Sequence, residues 1–141
     1  MLKGVSALLS PELLKILAEM GHGDDIAIVD ANFPAARLAR RLVWAQGTGA
    51  TEMLRAVLTL LPIDRSATDS VRTMQRIDSG ETPAIVTEFL SLLREADQSI
   101  RCNEIERMRF YDAAAHAFAI VITGERRLYG NILLRKGVID P

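Results

Sequence analysis

The chain has a single cysteine, Cys102. A lone thiol cannot close an internal bridge, and without a partner Cys or a nearby His cluster it carries no zinc or redox signature. That usage points to a reducing, cytoplasmic setting. Charge of one sign is also missing: 17 Lys and Arg stand against 18 Asp and Glu, a formal net charge of -1, and the basic residues gather only in doublets such as Arg40-Arg41 and Arg126-Arg127. Phosphate binding needs a concentrated basic face, so nucleic acid is not an expected partner. No uninterrupted apolar run is long enough to span a membrane. The opening MLKGVSALLSPELLKIL places a lysine before apolar residues as a signal peptide does, but Ser10, Pro11, Glu12 and Lys15 break the stretch, and it reads as a helix with a start signal. Gly47 and Gly49 in QGTGAT lack the lysine and spacing of a phosphate loop. A nucleophile elbow and a metal-binding pair of histidines on one helix are likewise missing.

What is present is the composition of a globular chain, 49% apolar and 25% charged over 141 residues. One compact domain over residues 1–141 is expected, large enough to bury roughly two thirds of the surface of its unfolded form. Helix and strand periods alternate along it. Ser10 with Pro11 and Glu12 is an N-cap with proline at the first helical position, and Leu13, Leu14, Leu17 and Met20 follow at helical spacing up to Gly21. IAIV at 26–29 and LVWA at 42–45 read as strands, TEMLRAVLTLL at 51–61 as a helix from a Thr cap, and SVRTMQRI as a strand. After an Asp78-Ser79-Gly80 turn, Thr82-Pro83 opens a helix with Ile85, Val86, Phe89, Leu90 and Leu93 on one side. IERMRF at 105–110 reads as a strand, YDAAAHA as a short helix, FAIVIT at 118–123 as a buried strand and NILLRKGV as a last strand. The pattern predicts an α/β fold with a largely parallel central sheet flanked by helices.

In such sheets ligands collect where strands end and loops converge, so the polar clusters at strand ends are the places to search. The first is Gly21-His22-Gly23-Asp24-Asp25 with Asp30: His22 can exchange a proton near neutral pH, and Asp30 can orient it or stabilise its charge. The same residues also read as a helix end with a solvated His on a surface loop. The second is IERMRF, whose alternation sets Glu106 on the face opposite Arg107 and Arg109, an arginine fork suiting several hydroxyl or carboxylate acceptors. Arg109 reads as a surface charge. The third is Thr123-Gly124-Glu125 with Tyr129-Gly130-Asn131, mixed donors and acceptors of the sort a neutral polyol requires, or an ordinary turn before a strand. His116 reads as a partly buried helix residue, Trp44 as core, and Asp64 and Asp69 as solvated acids in a polar connection.

The order and wording of these segments carry a resemblance. LLSPELLKILAEMGHGD, D-x-NFPA, LLPID, IERMRFY, AFAIVITGE and LYGNILLRKGV together resemble the L-fucose mutarotases of the fucose/ribose mutarotase family, end to end, with residues 35–80 matching least. The resemblance implies a mutarotase that interconverts the α and β anomers of a free monosaccharide, L-fucose before others, on a compact α/β domain assembled into rings, pentameric or stacked as decamers, with sites near subunit interfaces. It implies His22 as proton donor, and Asp30, Arg107, Tyr129, Gly130 and Asn131 as sugar-binding residues. Two departures bear on substrate choice: Asn32 stands where bacterial members commonly have His, and Trp44-Ala45-Gln46-Gly47 replaces a segment that commonly reads R-A-D-G. Opening and closing a hemiacetal needs only general acid and base groups, worth about 10²- to 10⁴-fold when positioned, so no metal or cofactor need be invoked. The competing readings are a non-catalytic sugar-binding or transport accessory protein, and a ribose pyranase.

Overall fold

Asp25–Val29 forms the strand β1 with every residue after Asp25 buried. A strand so placed must find apolar cover on both faces. The computed structural model that shows this describes residues 1–78 and 80–141. The turn expected at Asp78-Ser79-Gly80 therefore includes a residue, Ser79, outside the described ones. The elements run α1 (Pro11–Glu19), β1, α2 (Ala35–Leu38), β2 (Leu42–Ala45), α3 (Ala50–Leu58), β3 (Val71–Met74), α4 (Ala84–Ala96), β4 (Cys102–Ile105), α5 (Arg107–His116), β5 (Ala119–Thr123) and β6 (Ile132–Arg135). The strands make a six-stranded sheet in the order β2-β5-β1-β6-β3-β4. Pairs β1·β5, β2·β5 and β3·β4 are parallel, and β6 runs antiparallel to both neighbours, β1 and β3.

The period of two along the central strands sorts their side chains between two cores. Ile26, Ile28, Val121, Ile132 and Leu134 face α1, α3 and α4, where Leu13, Met53, Leu54, Ile85, Phe89 and Leu93 meet them. Ala27, Val29, Ile120, Ile122 and Leu133 face α2 and α5 and pack on Phe33 and Phe110. Each large side chain buried in this way contributes about 1.5–3 kcal/mol. Helix α1 starts where expected, the Ser10 hydroxyl accepting from the Leu13 N–H at 3.2 Å. Its last carbonyls are held from across the chain: Lys136 Nζ donates to the Leu17 and Met20 oxygens at 2.7 and 2.6 Å. No helix among the described residues is long and apolar enough to cross a membrane.

Several expectations are corrected. Residues 105–110 are not one strand: β4 ends at Ile105, and the Glu106 carboxylate accepts from the N–H groups of Met108 (2.9 Å) and Arg109 (3.1 Å), which starts α5 at Arg107. Glu106 is thus a helix cap, a role its place in an alternating pattern conceals. The cap of α3 is Gly49 rather than Thr51. Trp44 is 58% exposed because β2 is an edge strand. The His116 side chain lies outside the core, bonded along its own helix to the Asp112 carbonyl at 2.8 Å. Asp64 is buried, with consequences described below.

Candidate functional site

Topology decides which polar residues meet. The carboxyl ends of β1, β3, β4 and β5 lie at one edge of the sheet, and because β6 runs the other way its amino end lies there too. The connection from β5 to β6, residues 124–131, must therefore cross the end of β1, which sits between those two strands. It does so in contact, the Ala31 N–H donating to the Glu125 carbonyl at 2.8 Å.

Asp30 is the first residue beyond β1 and is buried under this crossing. Its backbone N–H donates to Asn131 Oδ1 at 3.0 Å, and Asn131 Nδ2 donates to Asp30 Oδ2 at 2.8 Å. Oδ1 accepts from the Asn32 N–H at 3.0 Å. Burial pushes the Asp30 carboxyl above its ordinary range, opposed by the hydrogen bonds from Asn131 and Asn32. Thr123, fully buried, fastens β5 to β1 through Oγ1 to the Val29 carbonyl at 2.7 Å.

The crossing loop is pinned by charge. The Arg127 guanidinium donates to Glu125 Oε1 and Oε2 at 2.9 and 3.0 Å and to Glu88 of α4 at 2.6 and 3.1 Å. Hydrogen bonding to Arg127 holds the Glu125 carboxyl down to about 2. Gly130 is required by space: a Cβ there would lie 2.8 Å from Glu125 Cγ and 3.0 Å from Ile85 Cδ1. Tyr129 before it is left-handed, at φ 65°. A bulky residue is rarely found there, and strain of this sort gathers at binding sites. Its hydroxyl accepts from the Ile77 N–H at 3.4 Å, and the Arg76 guanidinium lies 5.9 Å from its ring centre. Arg76 is itself clamped by Asp78, at 2.6 and 2.8 Å.

Arg107 opens α5 from the carboxyl end of β4, exposed at this same edge. Phe33 ties the segment after Asp30 to α5, its ring 5.9 Å from Phe110 and 5.2 Å from Tyr111, edge to face in both pairs. Asp30, Arg107, Tyr129, Gly130 and Asn131 thus share one edge. Arg76 and Tyr111, which the sequence did not single out, stand beside them. No local pattern marks either residue.

His22 does not join them. It lies between α1 and β1, at the amino end of the strand whose carboxyl end leads to Asp30, and a rise of about 3.3 Å per residue separates the two by more than ~15 Å. The orienting role expected of Asp30 toward His22 is thus not met within one chain. The carboxylate beside His22 is Asp64, with Oδ1 3.5 Å from Nε2. Both residues line a cavity of about 510 Å³ that Arg65, Asp97, Ile139 and Asp140 also border.

Known proteins resemble this chain over its whole length. The chain is 47% identical to a fucose mutarotase of Homo sapiens, over 98% of this chain and 94% of that protein. It is 40% identical to an L-fucose mutarotase of Actinobacillus pleuropneumoniae, over 98% and 97%. Its fold is similar to the crystal structure of the Streptococcus pneumoniae fucose mutarotase in complex with L-fucose, at a TM-score of 0.93 and 37% identity over 99% of this chain and 100% of that one. With residues 3–139 matched by the family's model and the fold matching a solved relative over 99% of this chain, the chain belongs to the RbsD / FucU transport protein family.

Proposed function

We propose that this protein is a monosaccharide mutarotase that interconverts the α and β anomers of L-fucose by general acid and base catalysis. The observation that carries the reading is the buried Asp30–Asn131 pair beside a strained Tyr129 at the carboxyl edge, in a chain so similar to a mutarotase solved with L-fucose. Asp30 keeps one lone pair on each carboxylate oxygen after its bonds to Asn32 and Asn131, enough to accept two sugar hydroxyls. Asn131 keeps one amide N–H. The Tyr129 hydroxyl and the Arg107 fork supply donors on the other side, and Gly130 lets the loop backbone come close. In its protonated form His22 gives a proton to the ring oxygen while the anomeric hydroxyl passes its own through the Tyr129 hydroxyl to solvent water; the aldehyde rotates, and closure returns a proton to each of the two sites.

His22 and Asp30 lie at opposite ends of β1, so a sugar in contact with both must sit between two copies of the chain. Exposed apolar side chains flank both ends: Trp44, Ile77, Met108 and Leu128 toward Asp30, and Leu60, Val138 and Ile139 toward His22. Apolar surface of this kind marks contact sites, and two different faces meeting head to tail close into a ring. A pentameric ring, alone or stacked as a decamer, is the assembly we infer. The unpaired Cys102 suits a cytoplasmic location.

The test is proton magnetisation transfer between the α and β anomeric signals of L-fucose, with ribose and galactose alongside, for the intact protein and His22→Ala. Catalysed exchange, fastest with L-fucose and lost in His22→Ala, is expected. Binding without exchange would overturn the reading in favour of a sugar-binding accessory protein.

A further inference from the structure

We propose that Lys136 is the positioning residue for His22, holding the turn that carries the imidazole from both of its sides. This rests on the reading of His22 as proton donor at a sugar held between two copies, and adds to it the residue that fixes where the donor stands.

His22 lies in a tight turn between α1 and β1 that closes on itself. Asp24 N–H donates to the Gly21 carbonyl at 3.2 Å, Gly21 N–H donates to Asp24 Oδ2 at 2.7 Å, and Gly23 is left-handed at φ 88°. With the Gly21 N–H directed at Asp24, the Leu17 carbonyl loses the donor that a further helical turn would supply. The Met20 carbonyl lies just past α1, whose last turn holds no basic side chain. Lys136 supplies what is missing, its ammonium donating to the Leu17 and Met20 oxygens at 2.7 and 2.6 Å. A cation suits this place, because partial negative charge gathers on the free carbonyls of a helix end.

The main chain of the same residue takes the other side of the turn. Gly23 N–H donates to the Lys136 carbonyl at 2.9 Å, and Lys136 N–H donates to the Asp24 carbonyl at 2.9 Å. Four hydrogen bonds thus run from one residue to positions 17, 20, 23 and 24, with His22 among them. Lys136 is anchored in turn. It continues β6 past Arg135, which pairs with Asp25 of β1, and it forms an antiparallel bridge with Ile63. The His22 side chain is 53% exposed, so the place of the ring is set chiefly by the backbone that carries it. Proton transfer is steep in that placement, a shift of about 1 Å costing on the order of 10²-fold.

The experiment puts Lys136→Met on one chain of a mixed assembly at a time. An Asp30→Ala chain still supplies His22, and a His22→Ala chain still supplies Asp30, so co-expression rebuilds sites from the two. Lys136→Met keeps the aliphatic stem and removes the donor. If it does not fold, Lys136→Gln, which keeps a neutral donor, takes its place in both arrangements. Added to the Asp30→Ala chain, the substitution is expected to lower kcat for the recovered exchange of L-fucose about 10-fold, with KM within about twofold. Added to the His22→Ala chain, it lies far from the working Asp30 and is expected to leave the recovered exchange within about twofold. A merely structural role would lower both alike. Equal loss in the two arrangements, or no loss in the first, would overturn the role of Lys136 alone. No recovery from Asp30→Ala with His22→Ala, both carrying the native Lys136, would overturn it together with the reading of a shared sugar.

Discussion

Asp30 and Asn131, 101 residues apart, hold each other by two hydrogen bonds, backbone N–H to Oδ1 at 3.0 Å and Nδ2 to carboxylate at 2.8 Å. The amide thereby satisfies a buried carboxylate and a strand-end N–H together. Asn131→Ala leaves the Asp30 N–H and Oδ2 without a partner, Oδ1 keeping the Asn32 N–H, which is expected to cost about 2–4 kcal/mol in urea unfolding. Asn131→Asp sets a second carboxylate against the first, and a loss at least as large is expected at neutral pH.

Tyr129 separates backbone strain from side-chain function. Its left-handed φ of 65° costs an L-residue roughly 1–2 kcal/mol that glycine does not incur. Tyr129→Gly is therefore expected to unfold at higher denaturant than Tyr129→Ala, by about 1 kcal/mol. Tyr129→Phe keeps the ring and removes a hydroxyl whose one bond among the described residues is long, 3.4 Å to the Ile77 N–H. Stability within about 0.5 kcal/mol of the parent is expected, with kcat/KM for L-fucose down roughly 3- to 10-fold.

Glu125 makes stability depend on acid. Its folded pKa of about 2, set first by Arg127, lies below the ordinary value of 4.5, so the folded chain binds this proton less readily than the unfolded chain. The stabilisation is complete above pH ~4.5 and is lost as pH falls through that value toward 2, a contribution of roughly 1–3 kcal/mol. Glu125→Gln should flatten the stability profile across that window, measured by thermal unfolding at closely spaced pH. A profile as steep as the parent's would assign the acid sensitivity elsewhere.

Gly137 is where the strip after β6 passes Asp64. A Cβ there would lie 2.8 Å from the Asp64 backbone N and Cα and from the Ile63 carbonyl. Gly137→Ala must push the two segments apart, at about 1–3 kcal/mol. Anomeric exchange should fall as well, because the neighbouring Lys136 holds the loop that carries His22 through Gly23 and Asp24.

Much of the fold is legible in local sequence. The Ser10-Pro11 and Thr82-Pro83 starts precede helices, at Pro11 and Ala84, and the apolar runs at 26–29, 42–45 and 118–123 are strands. Residues 105–110 mislead because an acid between apolar residues suits an exposed strand position and a helix cap equally, and only the N–H groups that Glu106 receives decide between them. Helix α2, four residues long, is too short to show a period. The carboxyl-edge cluster can be found from strand ends alone. The approach of Asp64 to His22 cannot, because residues 135–137, which bond to the loops carrying both, lie some seventy residues beyond Asp64 in the chain.

The measurement that bears most directly on a sugar held between copies is complementation. His22→Ala and Asp30→Ala are each expected to lose anomeric exchange of L-fucose. Co-expressed, they form mixed assemblies in which roughly a quarter of head-to-tail contacts pair an intact His22 with an intact Asp30. Recovery of about that share of the parent's exchange is the expected result. A mixed assembly no more active than the two variants measured separately would contradict it, and would mean that His22 and Asp30 do not meet at one sugar.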